Sequence, residues 1–461
     1  GRSACRWADR LVFVNGHGGN GPTLRSAVTR LRYEGRDVAW FPCVFDGARA
    51  DAHAGYTETS VLLSLSPQLV RQDRLEAGNR ASVATLLPAM REGGVAAVSA
   101  NGVLGDPTTA SAEDGTRLLA ATIARCEAAL DAWMRTHVSG YAGPLTVRQF
   151  KGGQSNPTYR MTVDGRDYVL RRRPFGPLLP SAHAVDREYR LISALHPTGF
   201  PVPAPLAVCQ DDAVIGSAFY VMELVEGRTF WNGALPDLSP LERRGAYEVM
   251  VDTLAQLHSV DPVAVGLEDF GRPGNYFERQ VARWTKQYRA AQTDDLPEVE
   301  RLIDFLPRTA PEQTRTAIIH GDYRIDNLIY APDSMTVRAV LDWELATLGD
   351  PLADFAYLAM NWILPADGRA GLNGLDLEAA GIPSLDDMAR RYCAATGRDD
   401  LPDLHWHFAF NLFRLIGIIQ GVKKRMLSGN ASSAKAADAV AMLKPLTKAA
   451  WREARLAGAE E

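Results

Sequence analysis

The sequence predicts two kinds of fold in series: an α/β segment with a partial parallel sheet, then a longer α+β region. Three observations carry this. Up to about residue 136, short β-rich runs alternate with helical spacing. Between Thr146 and Pro174, three alternating runs are separated by "GGQSN" and "DG", both hairpin turn signals. Beyond Gly227 the pattern is mostly helical to Glu461.

In the first segment, "RLVFVNG" (Arg10–Gly16) reads as a strand ending in a Gly turn. "TLRSAVTRLRYEG" (Thr23–Gly35) has helical spacing, and "RDVAWFPCV" (Arg36–Val44) is the next strand. Alternation of this kind implies a parallel sheet. "SAEDGTRLLAATIARCEAALDAWM" (Ser111–Met134) predicts a long helix with Ser111 as N-cap and an acidic first turn. "RTHVSGYAGP" (Arg135–Pro144) reads as a linker. A helix is expected over Ser181–His196 and a strand within Ala218–Gly227. The expected organisation is 1–136, a linker at 137–145, a sheet-rich part at 146–230 and a helical part at 231–461.

The chain has 461 residues, enough for two to four domains at roughly 150 residues each. Its formal net charge of −5 argues against binding nucleic acid by bulk electrostatics. The five cysteines (Cys5, Cys43, Cys126, Cys209, Cys393) form no C-x-x-C, which suits a reducing cytoplasm over a disulfide framework. No apolar run approaches the ~20 residues of a membrane span, and no signal peptide is visible. The chain opens at Gly1 and runs at once into an apolar strand, so more sequence is expected upstream. Oligomeric state is not legible.

The motif "IIHGDYRIDNLIY" (Ile318–Tyr330) sets His320, Asp322 and Asn327 in an apolar frame. Phosphoryl transfer needs a nucleotide held by its phosphates, metal ions on carboxylate and amide oxygens, and a base near the acceptor hydroxyl. Asn327 follows Asp322 by five positions, the step of the protein-kinase H-R-D-x-x-x-x-N loop. Asp342 in "VLDWE" ends an apolar run twenty positions after Asp322.

With "GGQSNPTY", "YVLRRRPFGPLLPSAHAVDREYRL", "FYVMELVEGRTF", "VLDWELATLGDPLADFAY" and "NLFRLIGIIQGV", residues 146–455 resemble the aminoglycoside phosphotransferase and choline-kinase-like superfamily. The nearest branch is a kinase-like domain fused to acyl-CoA dehydrogenases in animals and free-standing in bacteria. The resemblance implies an α+β bilobal protein-kinase-like fold, ATP and Mg²⁺ as cofactors, and a nucleotide and a small-molecule hydroxyl acceptor as partners. It implies that Asp322 orients or deprotonates the acceptor, and that Asn327 and Asp342 hold Mg²⁺. Gly152, Gly153, Gln154, Ser155 and Asn156 would cover the phosphates with backbone N–H groups. Arg171 stands where protein kinases keep a strand Lys, and Glu188 is its helix partner. Choosing Arg171 over Arg172 rests on strand alternation.

Each residue also has a structural reading. Asp and Asn often cap turns, but the second Asp and the surrounding matches favour chemistry for Asp322, Asn327 and Asp342. His320 is expected to be a hydrogen-bonding brace, because Asp322 already fills the base role. For Glu344 a metal contact and a surface role stand equally open. Asp350 and Asp354 are expected to cap and brace the following helix. The Arg171–Glu188 pair could be structural, and "RRR" (Arg171–Arg173) partly a solvated face.

The first segment carries "VNGHGGN", "DAHAGYTETS" and "GVLGDPTTAS". These resemble the creatininase family of metal-dependent amidohydrolases, and in particular the creatininase-like peptidase of mycofactocin maturation. His17 and Glu58 match metal-ligand positions (Zn, Fe or Mn), and His53 a position near substrate. The family's further ligands, an E-x-H segment and a later Asp, find no counterpart here. Two protein ligands hold a catalytic metal poorly when three are usual, so this half is expected to be truncated and inactive.

Three functions follow. A small-molecule kinase with an alcohol acceptor, a hydroxyacyl-CoA or an aminoglycoside, leads. A creatininase-type amidohydrolase or peptidase is the second. A non-catalytic kinase-like binding module is the third, and the intact Asp322, Asn327 and Asp342 argue against it.

Overall fold

A computed structural model describes residues 10–15, 37–42, 51, 53–150, 156–174, 185–272, 276–366, 369–427 and 434–460. The chain divides into two units: Gly1–His183 with Leu206–Val221, and Ala184–Pro205 with Met222–Glu461.

In the first unit, β1 (Arg10–Asn15) and β2 (Asp37–Pro42) pair in parallel, as the α/β alternation predicts. Helices α1 (Tyr56–Leu65), α2 (Val83–Gly93) and α3 (Ala112–His137) follow. Ser111 caps α3 as expected, its hydroxyl accepting from the Asp114 N–H at 3.1 Å. Helices α1 and α3 approach closely at Gly115, where an added Cβ would lie 1.9 Å from the Ser60 carbonyl oxygen. Only glycine admits that contact.

The three alternating runs form β3 (Thr146–Gln149), β4 (Thr158–Val163) and β5 (Arg166–Arg172), all antiparallel. The "DG" turn is Asp164 at φ 49° and Gly165 at φ 78°, the positive pair a two-residue hairpin of type I′ needs. With β6 (Pro205–Cys209) and β7 (Phe219–Glu223) they complete a five-stranded sheet in the order β3-β4-β5-β7-β6.

One face of this sheet buries Met161, Val163, Tyr168, Leu170, Phe219 and Val221. The last turns of α3 cover it with Leu130 and Met134, joined by Val138, Tyr141 and Leu145. The stretch expected to be a linker therefore contributes three core residues. Its Gly and Pro residues disguise an inward-facing Val and Tyr. Helix α3 serves two sets of neighbours: its first half packs on α1 and its second half on the sheet.

The second unit begins with α4 (Val185–Leu195) and continues through α5 (Pro240–Ser259), α6 (Tyr276–Ala291) and α7 (Pro297–Arg308). Two small antiparallel ribbons follow. One pairs β8 (Ala317–Ile319) with β11 (Thr347–Gly349), the other β9 (Leu328–Tyr330) with β10 (Val337–Val340). Then come α8 (Leu352–Ala359), α9 (Leu385–Thr396), α10 (His405–Leu427), α11 (Ala434–Ala441) and α12 (Leu443–Leu456). Helix α10 is central, packing on α6, α8 and α12. Among the described residues no helix is long and apolar enough to cross a membrane.

Met134 is fully buried between α3 and the sheet. Met134→Ala is expected to cost about 2–5 kcal/mol, by lost transfer and a residual cavity. Denaturant unfolding of the full chain measures it, and a change within about 0.5 kcal/mol would mean that α3 does not anchor the sheet.

Candidate active site

The connections of the two ribbons place the site. The loop from His320 to Asn327 leaves β8 and enters β9, and the turn holding Asp342 leaves β10 and returns to β11. Both loops join the same pair of ribbons, so they lie side by side. Two hydrogen bonds fasten them: Leu341 N–H donates to the Asn327 carbonyl at 2.8 Å, and His320 Nε2 lies 2.8 Å from the Leu341 carbonyl. The residue before Asp342 is thus tied both to Asn327 and to the turn that carries Asp322. Asp342 itself sits in the left-handed region at φ 67° and ψ 58°.

Asn327 and Asp322 are directly coupled. Asn327 Nδ2 donates to the Asp322 carbonyl at 2.8 Å and to its carboxylate Oδ2 at 3.3 Å. With the amide nitrogen committed to Asp322, the remaining atom of the amide is Oδ1, a hard oxygen. An amide oxygen and the Asp342 carboxylate are the donor set Mg²⁺ takes alongside substrate phosphates and water. The residues present therefore fit that ion, although among the described residues no group of three His, Cys, Asp or Glu could hold a metal by itself.

His320 is fully buried and braces the loop, as expected from the sequence. Its Nδ1 accepts from the Asp322 N–H at 3.2 Å, which leaves Nε2 to carry the proton donated to Leu341. A ring with both nitrogens so committed is not available as a base. Trp343 packs on it with ring centroids 4.5 Å apart.

Asp354 does more than brace its own helix. Its carboxylate reaches back to accept from His320 N–H at 2.5 Å and Gly321 N–H at 2.8 Å. His258 Nε2 lies 3.5 Å away, and both side chains are 1% exposed. Burial alone would raise the Asp354 carboxyl, but His258, His320 and the Gly321 N–H together hold it below the usual carboxylate range. Asp350 caps α8, accepting from Leu352 N–H at 2.9 Å, and burial raises its carboxyl. Gly321 turns the chain between His320 and Asp322 at φ 82°, where a Cβ would meet the Leu345 carbonyl oxygen at 2.8 Å.

Sequence reasoning missed two neighbours of Asp322. Tyr357 on α8 lies near Asp322, and burial first, then the Asp322 charge, push its hydroxyl up to about 12. Arg414 on α10 donates through Nη2 to the Gly321 carbonyl. The visible signal for Arg414 was a lone cation in the apolar run "NLFRLIG".

The other expected residues are placed as follows. Arg171 lies on β5 opposite Thr158. Arg172 shares the sheet face of Tyr168 and Leu170, covered by α3, and its Nε lies 3.3 Å from the Tyr159 hydroxyl. Alternation therefore puts Arg171 on the opposite face. Asn156 and Glu188 are buried, the latter on α4. Arg171 and Glu188 belong to different units. Gly152, Gly153, Gln154, Ser155 and His17 lie outside the described residues. Glu58 accepts from Ala54 N–H at 2.6 Å, and its Oε2 lies 3.6 Å from His53 Nδ1.

The sequence of residues 146–392 matches the phosphotransferase enzyme family, and the chain belongs to it. The small-molecule kinase class expected from the sequence is the class this family defines. Residues 1–130 match the creatinine amidohydrolase family. Acyl-CoA dehydrogenase family member 10 of Mus musculus is 43% identical over 339 residues, 73% of this chain and 32% of that protein, so this chain spans about a third of that relative's length. The mycofactocin precursor peptide peptidase of Mycobacterium ulcerans is 60% identical over 133 residues, 29% of this chain and 52% of that protein. A crystal structure from Ralstonia eutropha, provisionally designated an aminoglycoside phosphotransferase, is 46% identical with a TM-score of 0.67, covering 72% of this chain and 99% of that one. Likeness at that level establishes the kinase-like fold.

A carboxylate held low stabilises the folded state above its unfolded pKa and loses that contribution as pH falls through the folded value. The wild-type chain is therefore expected to lose stability on acidification below the ordinary carboxylate range. Asp354→Asn is expected to start roughly 3–5 kcal/mol less stable and to show a shallower dependence there. Unfolding midpoints against pH measure both, and parallel curves would contradict the clamp.

Proposed function

We propose that the chain is an ATP- and Mg²⁺-dependent kinase that phosphorylates a hydroxyl group of a small molecule, with hydroxyacyl-CoAs as the acceptor class. The observation that carries this reading is the coupling of Asn327 to Asp322, beside the turn that bears Asp342. Asp322 accepts the hydroxyl proton as the acceptor oxygen bonds to the γ-phosphorus and the bond to the β,γ-bridging oxygen breaks, releasing ADP. Asn327 Oδ1 and Asp342 would hold Mg²⁺, which when bound neutralises charge on the phosphates. Arg171 is proposed as a forked donor to the phosphates, with Glu188 as its proposed partner. The backbone N–H groups of residues 152–156 are proposed as further phosphate donors.

The acceptor class draws on two supports. The mouse relative is named as an acyl-CoA dehydrogenase family member, and its matching part covers most of this chain's length. The run Arg171–Arg173 supplies positive charge suited to an anionic acyl-CoA. An aminoglycoside acceptor is the outcome to compare it with, given the designation of the Ralstonia structure.

We read the creatininase-like segment as non-catalytic in this chain. Of the family's metal positions only His17 and Glu58 are matched, and two protein ligands hold a catalytic metal poorly when three are usual.

Mass-spectrometric screening of hydroxyacyl-CoAs, aminoglycosides and amino alcohols with ATP tests the kinase reading. Phosphorylated hydroxyacyl-CoA is expected, with Asp322→Ala slower by roughly 10²–10⁴-fold. Equal turnover by the variant would sink the assignment. Metal analysis tests the second reading: Zn, Fe and Mn together are expected well below one per chain, and a stoichiometric value would restore the amidohydrolase.

A further inference from the structure

The backbone around Asp322 is held by buried side chains from three directions. Asp354 takes the N–H groups of His320 and Gly321, and His320 Nδ1 takes the N–H of Asp322. The remaining polar group of this turn, the Gly321 carbonyl, belongs to the peptide that leads into Asp322. Arg414 Nη2 donates to it.

Arg414 is an unusual choice for this task. It sits on α10 among Phe410, Leu412, Phe413 and Ile416, all buried, and is itself only 8% exposed. Its Nε has no hydrogen-bond partner among the described residues. Burying a guanidinium is costly, and a donor left unmet adds to that cost. A leucine or methionine would fill the space without it. The guanidinium is steadied by two rings, with its carbon 5.5 Å from the Trp284 centroid and 5.1 Å from the Tyr357 centroid. Tyr357 is the tyrosine whose hydroxyl feels the Asp322 charge. Arg414 therefore reaches the peptide that leads into Asp322 and packs on a ring beside it.

We propose that Arg414 is a positioning residue for phosphoryl transfer: clamped between Trp284 and Tyr357, it fixes the Gly321 carbonyl and so the aim of Asp322 at the acceptor hydroxyl. This rests on the kinase reading above. Asp354 holds the N–H side of the turn and Arg414 the C=O side. The peptide between Gly321 and Asp322 follows a left-handed φ and is held at both polar ends, its N–H by His320 Nδ1 and its C=O by Arg414. Loss of the clamp is expected to misdirect Asp322 while leaving the atoms assigned to Mg²⁺ and nucleotide in place, since among the described residues Arg414 donates to the Gly321 carbonyl and to none of those atoms.

The test uses the full chain with Mg²⁺ and ATP. Slow hydrolysis of ATP to ADP reports transfer to water, so no acceptor need be known. Calorimetric titration with Mg²⁺–ATP reports binding, and thermal unfolding reports folding. Arg414→Met is expected to fold, to bind Mg²⁺–ATP within about threefold of wild type, and to lose on the order of 100-fold in kcat. Arg414→Lys restores the cation without the fork and is expected to recover about tenfold of that loss. Tyr357→Phe, which removes one hydroxyl, is expected to lower kcat about tenfold with binding unchanged.

A folded Arg414→Met with wild-type kcat overturns the proposal. Parallel loss of kcat and Mg²⁺–ATP binding overturns it too, since that is the mark of a general structural role. Should Arg414→Met fail to fold, Arg414→Lys decides, and wild-type turnover there is contrary. If wild type neither binds nor turns over ATP, the kinase reading fails and this inference with it. Activity in wild type and in the Arg414 variants alike removes this inference alone.

Discussion

The site depends on one buried carboxylate. Asp354 holds the backbone of His320 and Gly321 from below, and His258 Nε2 lies 3.5 Å from it where water cannot reach. Everything with chemical potential is built on that anchored turn. His320 can serve as a brace because its backbone is fixed, and the brace in turn reaches Leu341. Leu341 ties the Asp342 turn to Asn327, and Asn327 closes the circuit on Asp322. The circuit runs through main-chain groups at nearly every step. Main-chain donors and acceptors must be paired when buried, so the arrangement satisfies a folding requirement and sets the geometry of three oxygen-bearing side chains at once.

A second constraint lies in the first unit. Helix α3 starts in the creatininase-like segment and ends as the cover of a five-stranded sheet in the phosphotransferase-family region. The close approach at Gly115 fixes its first half against α1, and Leu130 and Met134 fix its second half against the sheet. The two family matches, 1–130 and 146–392, thus meet along one helix without a flexible tether. That gives the creatininase-like segment a structural role independent of any chemistry of its own.

Much of this was legible in the sequence where the signals are local. The "DG" turn, the Ser111 cap, the alternating runs of β3 to β5 and the parallel pairing of β1 with β2 are each set by a few adjacent residues. The motif of His320, Asp322 and Asn327 was legible as a candidate site because its spacing carries chemistry, and His320 as a brace followed from Asp322 standing beside it. What escaped reading depends on distant partners. Val138 and Tyr141 lie in a stretch rich in Gly and Ser, and only the sheet face explains their burial. Asp354 reads as a helix cap until the turn thirty-odd residues before it is folded against it. Arg414 stands 93 positions from the carbonyl it serves. Strand β6 is too short and too Pro-flanked to declare itself.

The central claim is that the coupled turn of Asp322, Asn327 and Asp342 is a metal–nucleotide phosphotransfer site. Electron paramagnetic resonance of Mn²⁺, standing in for Mg²⁺, tests it most directly when the ion is titrated into the full chain with and without ATP. The account predicts tight Mn²⁺ binding only when ATP is present, abolished by Asn327→Leu in a variant that unfolds at the wild-type temperature. Mn²⁺ binding indifferent to ATP, or unchanged in that variant, would contradict it.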